Sequence, residues 1–259
     1  LGTPGATVGV PNGGQIDGVR TTSTGWLTRH LATAENLPLQ MTMPVVATES
    51  QVPLSLTNEP TAVTLRSPGS FDLDLGGNSQ ELEEECEDSL LNIYASDETD
   101  SGIAGEQALI AQALVEGIFE QDNREYNNGL GRPYPVSNDD NGNLHSISDK
   151  LITLERLIKA GNIDLRIAQL DQGGWDDHAT QGSLPQGTNG SSGNFYERMD
   201  VTARAVNAFW QRMNSSEKNK ITLVMHSEFG RRVFNNADNG TDHGSGNPML
   251  VLGGNVNGG

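Results

Sequence analysis

Three short stretches of this chain carry the residue types that bind metals or move protons. The first is DQGGWDDHATQ at 171–181, with Asp171, Asp176, Asp177 and His178. The second is HSEFGRR at 226–232, with His226, Glu228, Arg231 and Arg232. The third is NGTDHGSGNP at 239–248, with Asp242 and His243. Carboxylate oxygens and imidazole nitrogens together suit Zn, Mn, Fe or Ca, according to how many of each converge. Asp176 and His178 are two apart, so on an extended segment both point to one side. Taken singly, each stretch also has an inert reading: a solvated loop pair for Asp176 and His178, a helix-start charge for Glu228, a capped turn for Asp242-His243. Arg231 and Arg232 suit an oxyanion clamp, or surface salt bridges. Trp175 reads as a packing anchor beside the site.

What must position these residues is a set of apolar runs next to each stretch. Residues 163–170 (IDLRIAQL) read as a strand. Residues 195–213 (FYERMDVTARAVNAFWQRM) repeat apolar residues at helical spacing. The runs 221–225 (ITLVM) and 249–252 (MLVL) are almost wholly apolar, as expected of strands covered on both faces. Strand, helix, strand at this spacing predicts a βαβ unit in a parallel sheet. Ligands of such sheets bind beyond the carboxyl ends of the strands, and three of the five histidines fall next to strand ends.

Further upstream, 26–34 (WLTRHLATA) predicts a short helix. Residues 41–47 (MTMPVVA) predict a strand that Pro44 confines to an edge or interrupts. Residues 102–120 predict a long helix, and 81–87 (ELEEECE) a solvated helix face. The turn-rich segment 127–145 contains SNDDNGN, but an EF-hand glycine would fall at Leu144, so a calcium loop is rejected. Ser146 or Ser148 is placed to cap a helix through LITLERLIKA, with Gly161 as its stop.

Composition narrows the function. The chain has 259 residues, 34 acidic against 16 Lys and Arg, a formal charge of −18. That balance repels phosphate backbones and anionic membranes. No apolar run approaches the roughly 20 residues of a membrane span. The lone Cys86 excludes a disulfide framework and lies among Glu83, Glu84, Glu85 and Glu87, whose field disfavours a thiolate. Aromatics are 5% of the chain, few for a carbohydrate-binding module. GxSxG, Walker A, GxGxxG and HExxH are all missing from the sequence. The starts and ends, LGTPG and NVNGG, look cut from something longer.

GGWDDHATQ, followed by HSEFGRRVFNNADNGTDHGSGNPMLVLGGNVNGG, closely resembles the bacterial family of unknown function called DUF1501, which has GGWDTH-like, SEFGRR and GTDHG segments in that order. GTPG at 2–5 and GWLTRHL at 25–31 match its upstream pattern. The resemblance implies an α/β fold: a three-layer α/β/α sandwich with a mostly parallel central sheet, alkaline phosphatase-like and sulfatase-like. It implies a single such domain over 1–259, incomplete at both ends, with a variable insert-like region at 50–144. By the same carry-over Asp176, His178, Glu228, Asp242 and His243 are the metal candidates, for a divalent Zn, Mn, Fe or Ca. The expected activity is hydrolysis of a phosphate or sulfate ester, small or polymeric, with Arg231 as the catalytic charge stabiliser. A twin-arginine signal is common in the family, so the expected location is periplasmic or extracellular.

Two departures matter. The superfamily's enzymes use a wider Asp-to-His spacing and an Asp-His pair, where this chain has Asp-x-His and Ser-Glu-Phe. Their nucleophile and first Asp ligand come from a segment expected upstream of Leu1. The alternative is therefore a non-catalytic exported protein of the same fold, its metal site structural or vestigial. Neither reading includes a nucleic-acid partner or a membrane span.

Overall fold

The structure is a computed structural model. It describes residues 23–38, 41–66, 80–121, 133–135, 146–179, 181 and 194–258. The GTPG segment, most of 127–145 with its SNDDNGN stretch, and His145 lie outside the described residues. Among them the architecture is mixed α/β, with six helices and a parallel three-stranded sheet. No described helix is long and apolar enough to cross a membrane. The chain divides into two compact units: Leu1–Arg124 with Thr153–Asp171, and Glu125–Ile152 with Gln172–Gly259.

The first unit is built on the parallel sheet, ordered β2 (Ala62–Thr64), β1 (Val45–Ala47), β3 (Ile167–Gln169). Val46 pairs with Val63 on one side and Ala168 on the other. Of the two expectations for Pro44, the edge is corrected, since β1 is the central strand, and the interruption stands, since the strand begins only at Val45. Pro44 stands just before it, where it donates nothing but accepts from the Arg166 and Ile167 amides at 2.8 and 3.0 Å. Val45, Ala47, Leu56 and Ile167 form the core beneath this sheet. Leu27 and Leu31 of α1 (Trp26–Thr33) cover it, since i and i+4 share a helix face. Helices α2 (Gln80–Ala95) and α3 (Asp100–Gln121) pack on each other, linked by a Gln112 amide donating to Glu87 Oε1 at 2.8 Å. Glu85 and Asp88 on α2 are exposed, as a solvated face requires.

The division falls within α4 (Ser146–Ala160). Its apolar positions Ile147, Leu151, Leu154 and Leu157 follow helical spacing and are buried. Gly161 ends it at φ +72°, a left-handed value that glycine adopts without a Cβ clash. Ser148 is no cap: its buried hydroxyl donates to the Pro135 carbonyl at 2.9 Å.

In the second unit α5 (Asn194–Arg212) buries Val201, Ala205, Ala208 and Phe209 along one stripe. The one-turn α6 (Ser215–Lys218) has a complete capping box, with Asn214 Oδ1 accepting from the Glu217 amide and Glu217 reaching back to the Asn214 amide. The expected βαβ unit is not formed. β3 pairs with β1, whereas β4 (Thr222–His226) pairs antiparallel with β7 (Met249–Gly253), Val224 opposite Val251. Nor are these strands covered on both faces: along β4 exposed residues alternate with half-buried ones. Continuous apolarity reports hydrophobic content and β propensity, but not which strand becomes the neighbour. A last ribbon, β5 (Gly230–Arg231) with β6 (His243–Gly244), sets Arg231 opposite His243.

Leu56 is fully buried in the first unit's core. We expect Leu56→Ala to cost about 2–5 kcal/mol, the range for deleting a packed leucine side chain. Urea unfolding checks it, with the exposed Leu82→Ala as the control, expected within about 0.5 kcal/mol of the parent.

Candidate metal centre

Three segments of the second unit build the site. The stretch after β3 carries Asp176 and His178, β5 ends in Arg231, and β6 begins with His243. An isolated bridge between Ala179 and Asn239 ties the first segment to the loop joining β5 to β6. Gly240 makes that approach possible: a Cβ there would lie 2.2 Å from the His178 carbonyl group. The Thr241 amide then donates to the Asp177 carbonyl at 3.3 Å.

Asp176 Oδ1, His178 Nε2 and His243 Nε2 converge. The Asp176 oxygen is 2.9 Å from His178 Nε2 and 2.8 Å from His243 Nε2, and the two nitrogens are 3.2 Å apart. Among the described residues these three form a group whose donor atoms could share one cation. Bonds of about 2.0–2.1 Å to a tetrahedral cation separate neighbouring ligand atoms by about 3.3 Å, so these edges need only small adjustment. The side chains are 53, 49 and 48% exposed, which leaves a cation open to solvent or substrate. The residues present therefore fit a divalent ion. Phe229 stacks flat on the His243 ring, centroids 4.0 Å apart and planes at 12°, and limits the ring's rotation.

The remaining candidates fall outside that group. Asp242 lies on the far side of the His178 ring, its Oδ1 3.7 Å from Nδ1. A carboxylate behind the second nitrogen of a metal-facing histidine orients the ring. Glu228 is exposed between β4 and β5 and is not one of the three convergent residues, and His226 is likewise outside the group. Asp177 is taken by Arg198 Nη1 at 2.9 Å, and the same guanidinium lies over the Trp175 ring at 5.5 Å. The Trp175 ring also meets Phe195 edge-on at 5.7 Å, consistent with a packing role.

Arg231 is fixed in place. Its Nη2 donates to the Trp175 carbonyl and to Asp176 Oδ1, both at 2.8 Å, and its Nη1 donates to the Thr241 carbonyl. Arg232 reaches Asp242 Oδ2 only at 3.7 Å and is 53% exposed. The hydrogen bond from His243, then the charges of His178, His243 and Arg231, hold the Asp176 carboxyl below the ordinary carboxylate range. Asp242 is lowered too, first by the Asn236 amide and then by Arg232 and His178.

Sequence reasoning missed Asn236 and Phe229. Phe229 sits inside the HSEFGRR stretch, but nothing in its type announces a stacking partner. Asn236 works largely through main-chain groups, which leave no mark in residue types.

Over residues 4–259 the chain matches the family model described as "Protein of unknown function (DUF1501)". No curated protein and no solved structure matches it.

Both depressed carboxylates stabilise the folded loops above the unfolded aspartate value of about 3.9, and that contribution is lost as pH falls through their lower native values. We expect the melting temperature of the metal-free chain to fall on the acid side of about pH 4. In Asp176→Asn that acid limb should flatten, with the neutral value moved towards the parent's acid value. An acid limb in the variant as steep as the parent's would show that this charge does not anchor the loops.

Proposed function

The chain belongs to the DUF1501 family, and from that premise we propose that it is an exported metal-dependent hydrolase of phosphate or sulfate esters, built on a three-layer α/β/α sandwich of the alkaline phosphatase type. The observation that carries the reading is the convergence of Asp176 Oδ1, His178 Nε2 and His243 Nε2 on one solvent-open point. Two imidazole nitrogens with one carboxylate favour Zn, Fe or Mn over Ca, which takes six to eight oxygen ligands. A cation held there supplies Lewis-acid polarisation of an ester oxygen.

The chain's own groups have distinct parts in this reading. Asp176, His178 and His243 hold the ion, and Asp242 orients His178 from behind. Arg231 fixes the Asp176 carboxylate and the Trp175 and Thr241 carbonyls through its two terminal nitrogens, while its buried Nε meets no protein acceptor. Arg232 is exposed and only loosely paired with Asp242, so its guanidinium suits a sulfate or phosphate anion. Arg231 keeps the role expected of it, stabilising developing charge, with Arg232 as a second, exposed cation. Hydrolysis breaks the P–O or S–O bond, with the oxygen of water going to phosphorus or sulfur and its proton to the departing alcohol. Export to the periplasm or beyond rests on the family resemblance and on the charge of −18, which suits an external, soluble surface.

The second reading, a non-catalytic exported protein with a structural or vestigial metal site, is favoured by one observation. Both terminal nitrogens of the arginine expected to clamp an oxyanion are bonded to protein acceptors.

Elemental analysis joined to ester turnover tests both. We expect about one equivalent of Zn, Fe or Mn in the parent, with hydrolysis of 4-nitrophenyl phosphate or sulfate. His243→Ala and Asp176→Asn should each lose at least about 100-fold in metal affinity, beyond the 10–100-fold typical of residues behind the ligands, and lose turnover with it. Metal without turnover of either ester favours the second reading. A folded parent without metal overturns both the metal site and the hydrolase.

A further inference from the structure

Asn236 lies within the loop from Arg232 to Asp242 that joins β5 to β6, and its side-chain amide is used to capacity. Oδ1 accepts from the amides of Asp238 and Gly240, each at 3.0 Å. Nδ2 donates to the His178 carbonyl at 2.7 Å and to Asp242 Oδ1 at 3.1 Å. A carboxamide offers two donor hydrogens and two acceptor lone pairs, and all four are employed here. The partners also fix its orientation, because a flipped amide would turn N–H against N–H and oxygen against oxygen at every contact. The Asn236 amide N–H closes the same turn by donating to the Gly240 carbonyl at 2.9 Å.

We propose that Asn236 is a positioning residue of the metal site and acts on His178 at two points. It grips the main chain of His178 directly through the carbonyl. It also bears on the ring indirectly, because Asp242, whose Oδ1 it holds, faces His178 Nδ1 at 3.7 Å, beyond hydrogen-bond length but within electrostatic reach. His178 Nε2 is turned toward Asp176 and His243, so Nδ1 is the one ring atom left by which the protein can aim it. The two roles of the amide separate chemically: its oxygen shapes the loop, and its NH2 aims the ligand. Aspartate keeps the acceptor, loses both donors and sets a carboxylate against that of Asp242, so it disturbs the side that aims the ligand, whereas alanine loses the whole network. This inference rests on the metal reading above.

The test compares Asn236→Asp, Asn236→Ala and the parent as full chains. Zinc affinity is measured by competition with a chromophoric chelator, site geometry by the visible spectrum of cobalt(II), and the loop by metal-free melting. We expect Asn236→Asp to weaken zinc binding about 10–100-fold and to alter the cobalt bands, while melting nearer the parent than Asn236→Ala does. Parent-like affinity and cobalt bands in Asn236→Asp would overturn the proposal. If Asn236→Asp melts as low as Asn236→Ala, the cobalt spectrum taken below melting decides: altered bands support the proposal, unaltered bands overturn it. A parent that binds no metal defeats the metal reading, and the imidazole nitrogen resonances of the metal-free chains then decide about Asn236. A shift at His178 in Asn236→Asp, with His226 unmoved, supports its positioning role, and no shift at His178 overturns it.

Discussion

The second unit's site hangs on one oxygen atom. Asp176 Oδ1 faces Arg231 Nη2, His243 Nε2 and His178 Nε2 at 2.8, 2.8 and 2.9 Å. These groups come from two regions far apart in sequence, 176–178 and the ribbon that carries Arg231 and His243, so that carboxylate is the point where the loop after β3 and the β5–β6 ribbon are registered against each other. The arrangement is electrostatically consistent only while Asp176 is ionised, and its neighbours keep it so. It also leaves two imidazole nitrogens 3.2 Å apart with their lone-pair sites toward a common centre. A cation about 2 Å from each satisfies all three ligand atoms with lone pairs.

The scaffold around that oxygen is not sheet in the usual sense. A two-residue ribbon such as β5–β6 cannot hold itself together. Side chains bonded to main-chain groups do the holding instead: Arg231 to the carbonyls of Trp175 and Thr241, and Asn236 to the carbonyl of His178 and the amides of Asp238 and Gly240. Irregular backbone keeps its polar groups satisfied in this way. One consequence is that local fold and site geometry are the same set of bonds.

Much of this was legible in the sequence, and the boundary is physical. The helices α1, α3, α4 and α5 followed from apolar spacing, and the stop at Gly161 from its freedom at positive φ. Strand positions were legible but their partners were not: β4 was expected inside a parallel sheet and lies in an exposed antiparallel pair. An apolar run encodes no neighbour. At the site, Asp176, His178 and His243 stood out by type and by position near strand ends. The two-residue spacing set Asp176 rather than Asp177 beside His178, and the Arg198 pairing agrees, by claiming Asp177. Asp242, a metal candidate by its match to the family's GTDHG segment, faces His178 Nδ1 rather than the convergent Nε2, as successive residues on an extended segment point apart.

The exposure of the three convergent side chains bears on what a cation would do there. The ion pairs from half-exposed His178 and His243 to Asp176 contribute little to stability. Holding the loop after β3 against the ribbon therefore falls to the Arg231–Asp176 pair, whose guanidinium is mostly buried, to bonds with main-chain groups and, when a cation is bound, to the cation. A ligand that binds only the folded chain stabilises it by about 4 kcal/mol at a thousand times its dissociation constant, far more than an exposed pair supplies. A cation there would be structural whether or not it is also catalytic. Stabilisation by metal consequently does not separate the hydrolase reading from the inert one; only chemistry on a substrate does. The open side of the site makes that chemistry available, since a purely structural ion is normally closed in by four protein ligands and this one would have three.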